Sequence, residues 1–444
     1  VDSFGDQIHD VVWLPQSWNG NFEGVGGGGF SCGPSYSELA APIEGGYASA
    51  TTDCGTTDQT GQFALNPDGT LNLPLLDLIG NGSGIHDMTV VAKAVIAAYY
   101  GQGPQYSLFN GCSAGGGEGL DLASSYPSDY NGILAGSPAA YDAELDSSFL
   151  WPELVMKESN DFLPTCKETA FTEAAIAACD ANDGVTDGII SDPADCHWNP
   201  YSLVGLQTPC GTITITDAAV VEKIWQGPVS TTGKQLWFGL SPGSSFADLA
   251  ATTTTNGVTT GDPIFFATTF LGEWVQQITN WNWQTVTYQQ YDALFAEAQA
   301  KLGGIIDPSP NLNQFGKDGG KLLMWQGTAD PLVLPQDTLK YYSAAQKDAG
   351  GASKVDTFAR LFFAPGAGHC SSAVGPAPSD PFGALVQWVD NRQAPVTIAA
   401  DVVDPATNVT TATHKLCMYP LVARYSGHGS TDDAANFTCS NSYT

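Results

Sequence analysis

Tyr106-Ser-Leu-Phe-Asn-Gly-Cys-Ser-Ala-Gly-Gly-Gly-Glu-Gly-Leu-Asp-Leu-Ala-Ser-Ser-Tyr126 joins an apolar strand, a turn of small residues and a helix. The strand reads as Tyr106–Phe109 and stops at Asn110-Gly111, and Gly115 to Tyr126 has helical character. Between them, Gly111-Cys112-Ser113-Ala114-Gly115 matches Gly-x-Ser-x-Gly. In that motif the serine sits on a strained strand-to-helix turn, and small neighbours let the backbone cross close to the helix. The amide of Ala114 then faces a carbonyl under attack and stabilises the developing oxyanion. A chain with 50 glycines generates chance matches, so the plain alternative is a Gly-rich turn. The strand–turn–helix context favours the nucleophile.

Outward from this motif the chain alternates strands and helices. Asp10–Leu14 ends at Pro15, Phe22–Val25 leads into Gly26-Gly27-Gly28-Gly29, and Tyr47–Thr52 is β-rich. From His86 to Tyr99 the apolar residues Val90, Val91, Ala94, Val95 and Ala98 recur at helical spacing. Gly132–Ala135 is a further buried strand. Such alternation predicts a parallel sheet with helices on both faces. It pauses between about Tyr141 and Gln314, where four cysteines, a Thr-rich loop at Thr252–Thr255 and seven of the eleven tryptophans fall. It resumes with strand Lys321–Trp325, helix Pro335–Lys347, strand Ala359–Phe363 and helix Asp380–Asp390. The expected organisation is one α/β domain in two parts, 1–142 and 317–444, interrupted by a lid-like insertion over 143–316.

Composition narrows the function. Of 444 residues, 15 are Lys or Arg and 46 are Asp or Glu, a formal charge of −31. Nucleic-acid binding and docking on anionic membrane both need cationic surface and are excluded. No apolar run reaches the ~18 residues of a membrane span. The first basic residue is Lys93, so a basic signal or transit segment is not among the residues read here. Ten cysteines without a Cys-x-x-Cys pair suit five disulfides and an oxidising compartment better than free cytosolic thiols or zinc. Three Asn-x-Ser/Thr sequons, at Asn81, Asn408 and Asn436, agree. A secreted, extracellular protein with its signal peptide removed is expected.

A serine nucleophile needs a base. In α/β-hydrolases the order along the chain is Ser, then Asp or Glu, then His. His369 follows the strand-like Leu361-Phe362-Phe363 and a flexible Ala-Pro-Gly-Ala-Gly loop, as a catalytic histidine does. Its orienting acid is most simply Asp330, in Gly327-Thr328-Ala329-Asp330-Pro331 after the strand at 321–325. The plain alternatives are a surface-loop histidine and a helix-capping aspartate. His414 and His428 lie in a polar tail with no strand before them and read as structural. Cys112 precedes the serine and Cys370 follows the histidine. A disulfide between them would hold Cα atoms about 5.5–6 Å apart and tether Ser113 to His369. The remaining pairs expected from proximity and domain are Cys32–Cys54, Cys179–Cys196 and Cys417–Cys439, with Cys166–Cys210 by elimination.

Two loops are further candidates. The run Gly26–Gly29 presents bare backbone that can donate an N–H to an oxyanion. Gly27 and Gly28 are both open, with Gly28 taken as the expected donor. Cys179-Asp-Ala-Asn-Asp-Gly-Val-Thr-Asp-Gly-Ile189 packs three carboxylates and two glycines into one turn. Calcium is bound by carboxylates and main-chain carbonyls, here Asp180, Asp183 and Asp187 with the backbone of Val185 and Ile189. The spacing is not that of an EF-hand, and a solvated acidic turn is the alternative.

Gly-Cys-Ser-Ala-Gly-Gly, Gly-His-Cys, Gly-Thr-Ala-Asp-Pro and the opening Leu14-Pro-x-x-Trp-Asn-Gly20 with its Gly-rich run together resemble the tannase and feruloyl esterase family. The resemblance covers nearly the whole chain. It implies an α/β-hydrolase fold with a large inserted lid, and a Cys–Ser–Asp–His–Cys arrangement with bonded cysteines. It also implies that the acidic loop is a structural calcium site in the lid. One departure is Gly117, where many relatives carry a basic residue, with consequences for packing behind the nucleophile. The activity implied is a secreted serine carboxylesterase acting on phenolic esters, foremost feruloyl esters of plant cell-wall polysaccharide. A tannase hydrolysing galloyl esters is the nearest rival, and terephthalate monoesters are a third substrate. From another class, a non-catalytic carbohydrate-binding protein would share the acidity and tryptophans but not the Ser, Asp, His order. The aromatics Phe265, Phe266, Phe270, Trp274, Trp281 and Trp283 suit an acyl pocket, with lid core as the plainer reading.

Overall fold

Hydrophobic alternation along four short strands divides the core into two layers. The computed structural model describes residues 8–371, 375–404 and 406–442, so the extreme ends of the first and last expected segments (1–7 and 443–444) lie outside the described residues. Its central sheet has strands β1 (Asp10–Trp13), β2 (Phe22–Val25), β3 (Ala48–Thr52), β4 (Ser107–Cys112), β5 (Gly132–Gly136), β6 (Lys321–Gly327) and β7 (Ala359–Ala364). They are ordered β1-β3-β2-β4-β5-β6-β7. Phe109, Ile133, Leu322 and Leu361 point to one face, which helices α1 (Ser83–Tyr100), α2 (Ala114–Ser125) and α3 (Pro335–Ala349) cover. Their neighbours Leu108, Leu134, Leu323 and Phe362 point to the other. That face is covered by helix α4 (Pro381–Asn391) and the hairpin of β8 (Thr397–Asp404) and β9 (Val409–Cys417). Burial on both faces is what a parallel sheet requires. The architecture is that of an α/β-hydrolase.

Three expectations are corrected. The sheet is not wholly parallel: β1 runs antiparallel to β3. The link 14–21 is too short for the crossover that parallel strands need. In α1 the buried face is Ile85, Met88, Ala92 and Ile96, whereas Val90, Val91 and Val95 are exposed. Both sets have helical spacing, and only packing against the sheet selects between them. His414 lies within β9, opposite Ala400. Five of its nine residues are polar and its first half is largely exposed, so it lacks the apolar signal of its neighbours.

Between β5 and β6 comes the insertion, largely helical, with Leu154, Phe171, Val221, Phe270, Tyr291 and Leu302 in its core. Two of its helices begin with reciprocal capping boxes, Thr214/Asp217 and Thr287/Gln290. Its core continues onto Phe30, Leu76, Ala139 and Val333, so it sits over the ends of the strands that carry the candidate site. All five expected cysteine pairs are present: Cys32–Cys54, Cys112–Cys370, Cys166–Cys210, Cys179–Cys196 and Cys417–Cys439. No helix among the described residues is long and apolar enough to cross a membrane.

Candidate active site

Ser113 stands between the end of β4 and the start of α2, with φ 64° and ψ −128°. A non-glycine residue held at positive φ is strained, and such strain persists only where the surroundings enforce it. Here Ser113 N–H donates to Gly136 O at 3.0 Å, and Ser113 O accepts from Gly117 N–H at 3.0 Å and Ala139 N–H at 3.2 Å. The turn closes because Gly111 and Gly115 lack side chains. A Cβ on Gly111 would lie 2.2 Å from Gly115 O, and one on Gly115 would lie 2.7 Å from Gly27 O. Gly111→Ala is therefore expected to cost about 1–3 kcal/mol, as overpacking does, and to lower activity by displacing Ser113. Thermal unfolding and a rate assay check both parts.

His369 Nδ1 donates to Asp330 Oδ2 at 2.9 Å. Asp330 is fully buried. Its Oδ1 accepts from the backbone N–H of Leu332 at 2.9 Å and of Val333 at 3.0 Å. Its Oδ2 also accepts from Gln326 Nε2 at 3.1 Å. Gln326, on β6, is itself fixed by Val333 O and by the Thr338 hydroxyl, at 2.9 and 2.8 Å. This buried amide was not singled out from the sequence, because a single Gln in an apolar strand has no pattern. The loop carrying His369 is tied to β6 by Ala329 N–H to Ala367 O at 3.1 Å and Gly366 N–H to the Thr328 hydroxyl at 2.8 Å.

Ser113 and His369 line one cavity of about 470 Å³. The Cys112–Cys370 disulfide beside them holds its Cα atoms 6.0 Å apart. The Ser113 hydroxyl makes no hydrogen bond to the imidazole among the described residues, and catalytic contacts commonly tighten only once substrate is bound. Ala114 N–H opens α2 and has no intrahelical acceptor. The expected second donor, Gly28, turns its N–H onto Ser31 O at 2.8 Å in a tight turn, while Gly27 N–H donates to Glu118 Oε2 at 3.0 Å. Gly29, also lining the cavity, keeps an N–H with no hydrogen-bond partner among the described residues.

The insertion contributes Phe266 and Trp274 to the cavity wall. Trp274 packs on Phe30 and donates its indole N–H to Gly61 O at 2.8 Å. Of the other aromatics singled out, Phe270 belongs to the insertion's core, Phe265 is largely exposed, and Trp281 and Trp283 pack against that core. The same cavity also contains Glu118, Asp121, Asp142 and Asp146, which the sequence did not disclose because acids on a helix ordinarily read as its solvated face. Burial pushes the Glu118 carboxyl up to about 8, only partly offset by the Gly27 N–H. Burial, with repulsion from Glu144, lifts Asp142 to about 7. Burial and neighbouring acids raise Asp121 and Asp146 as well.

In the acidic loop Asp180 accepts from the N–H groups of Asp187 and Gly188 at 3.0 and 3.1 Å. Asp183 accepts from Val185 N–H at 2.8 Å and the Ser191 hydroxyl at 2.6 Å, and Asp187 from Ile189 N–H at 3.2 Å. Burial, then Asp183 and Asp180, raise Asp187 to about 6. Among the described residues no three such side chains converge at metal-binding geometry. The donor chemistry nonetheless fits a hard cation: each carboxylate oxygen keeps a lone pair, and a cation would relieve the repulsion that lifts Asp187. Of the sequons, Asn408 is exposed, while the amides of Asn81 and Asn436 donate to Asp77 Oδ1 and Ser430 O at 2.8 and 2.9 Å.

A strained serine at the top of a parallel sheet, with a histidine–aspartate pair on later strand ends, defines an α/β-hydrolase site. Residues 2–440 match the family model for tannase and feruloyl esterase. The chain is 41% identical to a probable feruloyl esterase of Arthroderma benhamiae, over 99% of this chain and 83% of that one. It is 28% identical to feruloyl esterase B of Aspergillus niger, over 96% of this chain and 83% of that one. Among solved structures, feruloyl esterase B from Aspergillus oryzae superposes with a TM-score of 0.87 at 26% identity, covering 99% of this chain and 88% of that one. Tannin acyl hydrolase from Aspergillus niger superposes at 0.90 and 23% identity, over 98% and 84%, a likeness of fold. The chain belongs to the tannase and feruloyl esterase family and is an esterase.

Proposed function

We propose that the chain is a secreted serine carboxylesterase that hydrolyses hydroxycinnamoyl esters, feruloyl esters of plant cell-wall polysaccharide foremost. The observation that carries the reading is one cavity holding a strained serine and a histidine fixed by a buried aspartate, with a disulfide joining the two sides. Ser113 Oγ attacks the ester carbonyl while His369 Nε2 takes its proton, and Asp330 stabilises the resulting imidazolium. Ala114 N–H and a backbone N–H of the 28–29 turn receive the oxyanion. His369 passes the proton to the departing alcohol, leaving an acyl-serine. A water then attacks the acyl carbon as His369 takes its proton, and collapse returns that proton to Ser113 and frees the acid.

Support for a saccharide alcohol comes from a second groove, about 450 Å³, which also reaches His369 and is lined by the hydroxyl residues Thr165, Thr169, Thr172, Ser244 and Ser245. It brings hydroxyl-bearing residues to His369, the group that passes a proton to the leaving alcohol. Steady-state rates on methyl ferulate and methyl gallate test the assignment. A higher kcat/KM on methyl ferulate is expected, and preference for methyl gallate would make the chain a tannase.

The same reading places structural calcium in the loop, held by Asp180, Asp183 and Asp187 with the carbonyls of Val185 and Ile189, and N-glycan foremost on the exposed Asn408. Calcium there supplies charge compensation and cross-links the turn, with no part in the ester chemistry. Excess EDTA is expected to lower Tm by several degrees, added calcium to restore it, and low-temperature activity to persist. An unchanged melting curve together with no metal by elemental analysis would remove the calcium site.

A further inference from the structure

Gly117 and Asp121 stand one turn apart on the same side of α2, four and eight residues after Ser113, which immediately precedes the helix. At ~1.5 Å per residue, Asp121 lies about 12 Å along the axis from the nucleophile. Gly117 lets the helix approach the Ala139 carbonyl, from which a Cβ would lie 2.4 Å, and all three residues line the cavity. From the opposite side the helix Asp142–Ser148 presents Asp142 and Asp146, again four residues apart, into the same space. Asp121 is 6% exposed and Asp146 9%. Neither carboxyl has a hydrogen-bond partner among the described residues. Glu118, 6% exposed, uses one oxygen on Gly27 N–H. No Lys or Arg lines the cavity, and the rest of its wall is largely apolar, with Leu76, Ile79, Leu145, Phe149 and Ile306 among it.

Unpartnered carboxyls inside an apolar enclosure are costly unless something supplies the missing bonds. The partner must carry O–H groups, must be planar enough for the aromatic walls, and must bear no negative charge. It must also reach two helical turns beyond the attacked carbonyl. A ring bonded directly to that carbonyl is shorter by two carbons than one bearing a propenoyl spacer. We propose that Asp121 and Asp146, with Asp142 and Glu118 beside them, form an acyl-end subsite that hydrogen-bonds the ring hydroxyls of an uncharged hydroxycinnamoyl group and excludes aromatic acyl groups bearing a carboxylate. This rests on the hydroxycinnamoyl esterase reading above and adds its determinant. With no Lys or Arg in the wall a substrate carboxylate would be buried unpaired, which excludes it whether or not the acids are ionised. Burial, joined at Asp121, Asp142 and Asp146 by repulsion from neighbouring acids, holds all four above the usual carboxylate range and keeps much of the subsite neutral in mildly acidic water. It can then both donate to and accept from a phenol or methoxyl oxygen.

The test compares kcat/KM for methyl caffeate, methyl ferulate and methyl cinnamate, and for dimethyl against monomethyl terephthalate. In the native chain caffeate is expected to exceed cinnamate by about 10- to 100-fold, the worth of hydrogen bonds to charged or strongly polar groups. The neutral diester is expected to exceed the anionic monoester at least tenfold. Asp121→Leu and Asp146→Leu should each shrink the caffeate-to-cinnamate ratio at least fivefold, whereas Asp121→Asn, which keeps an acceptor, should retain most of it. A native ratio below threefold, or one unmoved by both Leu variants, overturns the subsite. Should a Leu variant fail to fold, the native hydroxyl and terephthalate ratios decide alone, and equal rates on the two terephthalates overturn the exclusion. Hydrolysis of p-nitrophenyl acetate with none of any hydroxycinnamate overturns the parent reading and the subsite with it. Hydrolysis of hydroxycinnamates indifferent to ring hydroxyls overturns the subsite alone.

Discussion

Ser113→Ala abolishes ester hydrolysis, with kcat falling on the order of a millionfold, as loss of a triad serine does. The fold survives the change. Ser113 is held by its backbone: its N–H is bonded to Gly136 and its carbonyl to Gly117 and Ala139. Its side chain takes no hydrogen bond among the described residues, so removing the hydroxyl breaks nothing structural. Ala does carry the same Cβ into φ 64°, so the strain of the turn is retained rather than relieved. Melting temperature and circular dichroism should therefore match the native protein, while covalent labelling by a fluorophosphonate disappears. Substantial kcat in a folded Ser113→Ala variant would take the nucleophile's role from this residue. Retained labelling at Ser113 in the native chain without ester turnover would instead point to a substrate class outside those named.

The elements around Ser113, the proposed nucleophile, were legible in the sequence because several kinds of signal coincide there. Strand β4 is apolar, the turn is built of residues that only a close crossing requires, and a helix follows. His369 was legible because a cysteine stands beside it as another stands beside Ser113. Where only one signal exists, reading fails. Helix α1 has two apolar faces, and periodicity cannot say which one meets Phe22 and Phe109. Strand β9 is mainly polar and exposed along its first half, so its backbone pairing with β8 leaves little trace in side-chain pattern. The candidate oxyanion glycines are distinguishable only by where each N–H points, and Gly28 points at Ser31. The four cavity acids come from two helices on either side of the lid boundary, and their meeting is a property of tertiary packing alone. Local spacing thus carries the proposed reacting groups, and the surroundings proposed to set specificity are long-range.

Replacing Cys112 and Cys370 together with Ala is expected to lower kcat by about a hundredfold or more while leaving KM within a fewfold of native. The two cysteines lie 258 residues apart in the chain and 6.0 Å apart between Cα atoms. In the sheet they belong to ends of β4 and of the loop after β7, with β5 and β6 between. At ~4.8 Å per strand spacing those two strands stand about 14 Å apart, so the loop must turn back over the sheet to bring His369 to Ser113. Gly136 on β5 clears the way: a Cβ there would lie 3.0 Å from Cys112 Sγ and 2.7 Å from Trp325 Nε1. The loop's other ties, from Thr328 and Ala329 to Gly366 and Ala367, fasten it to β6 and so fix His369 to Asp330. Among the described residues only the disulfide fastens it directly to the strand that leads into Ser113. Without it the His369–Asp330 pair persists but drifts relative to Ser113, and a displacement of ~1 Å costs about a hundredfold in rate. Substrate is held by the cavity walls, which explains the small change in KM. Chain entropy gives the closed loop an upper bound of about 5–6 kcal/mol in stability, so the assay belongs well below the variant's Tm. Replacing one cysteine alone leaves a free thiol beside the serine and is the weaker experiment. A folded double variant with native kcat would mean that packing positions His369 unaided.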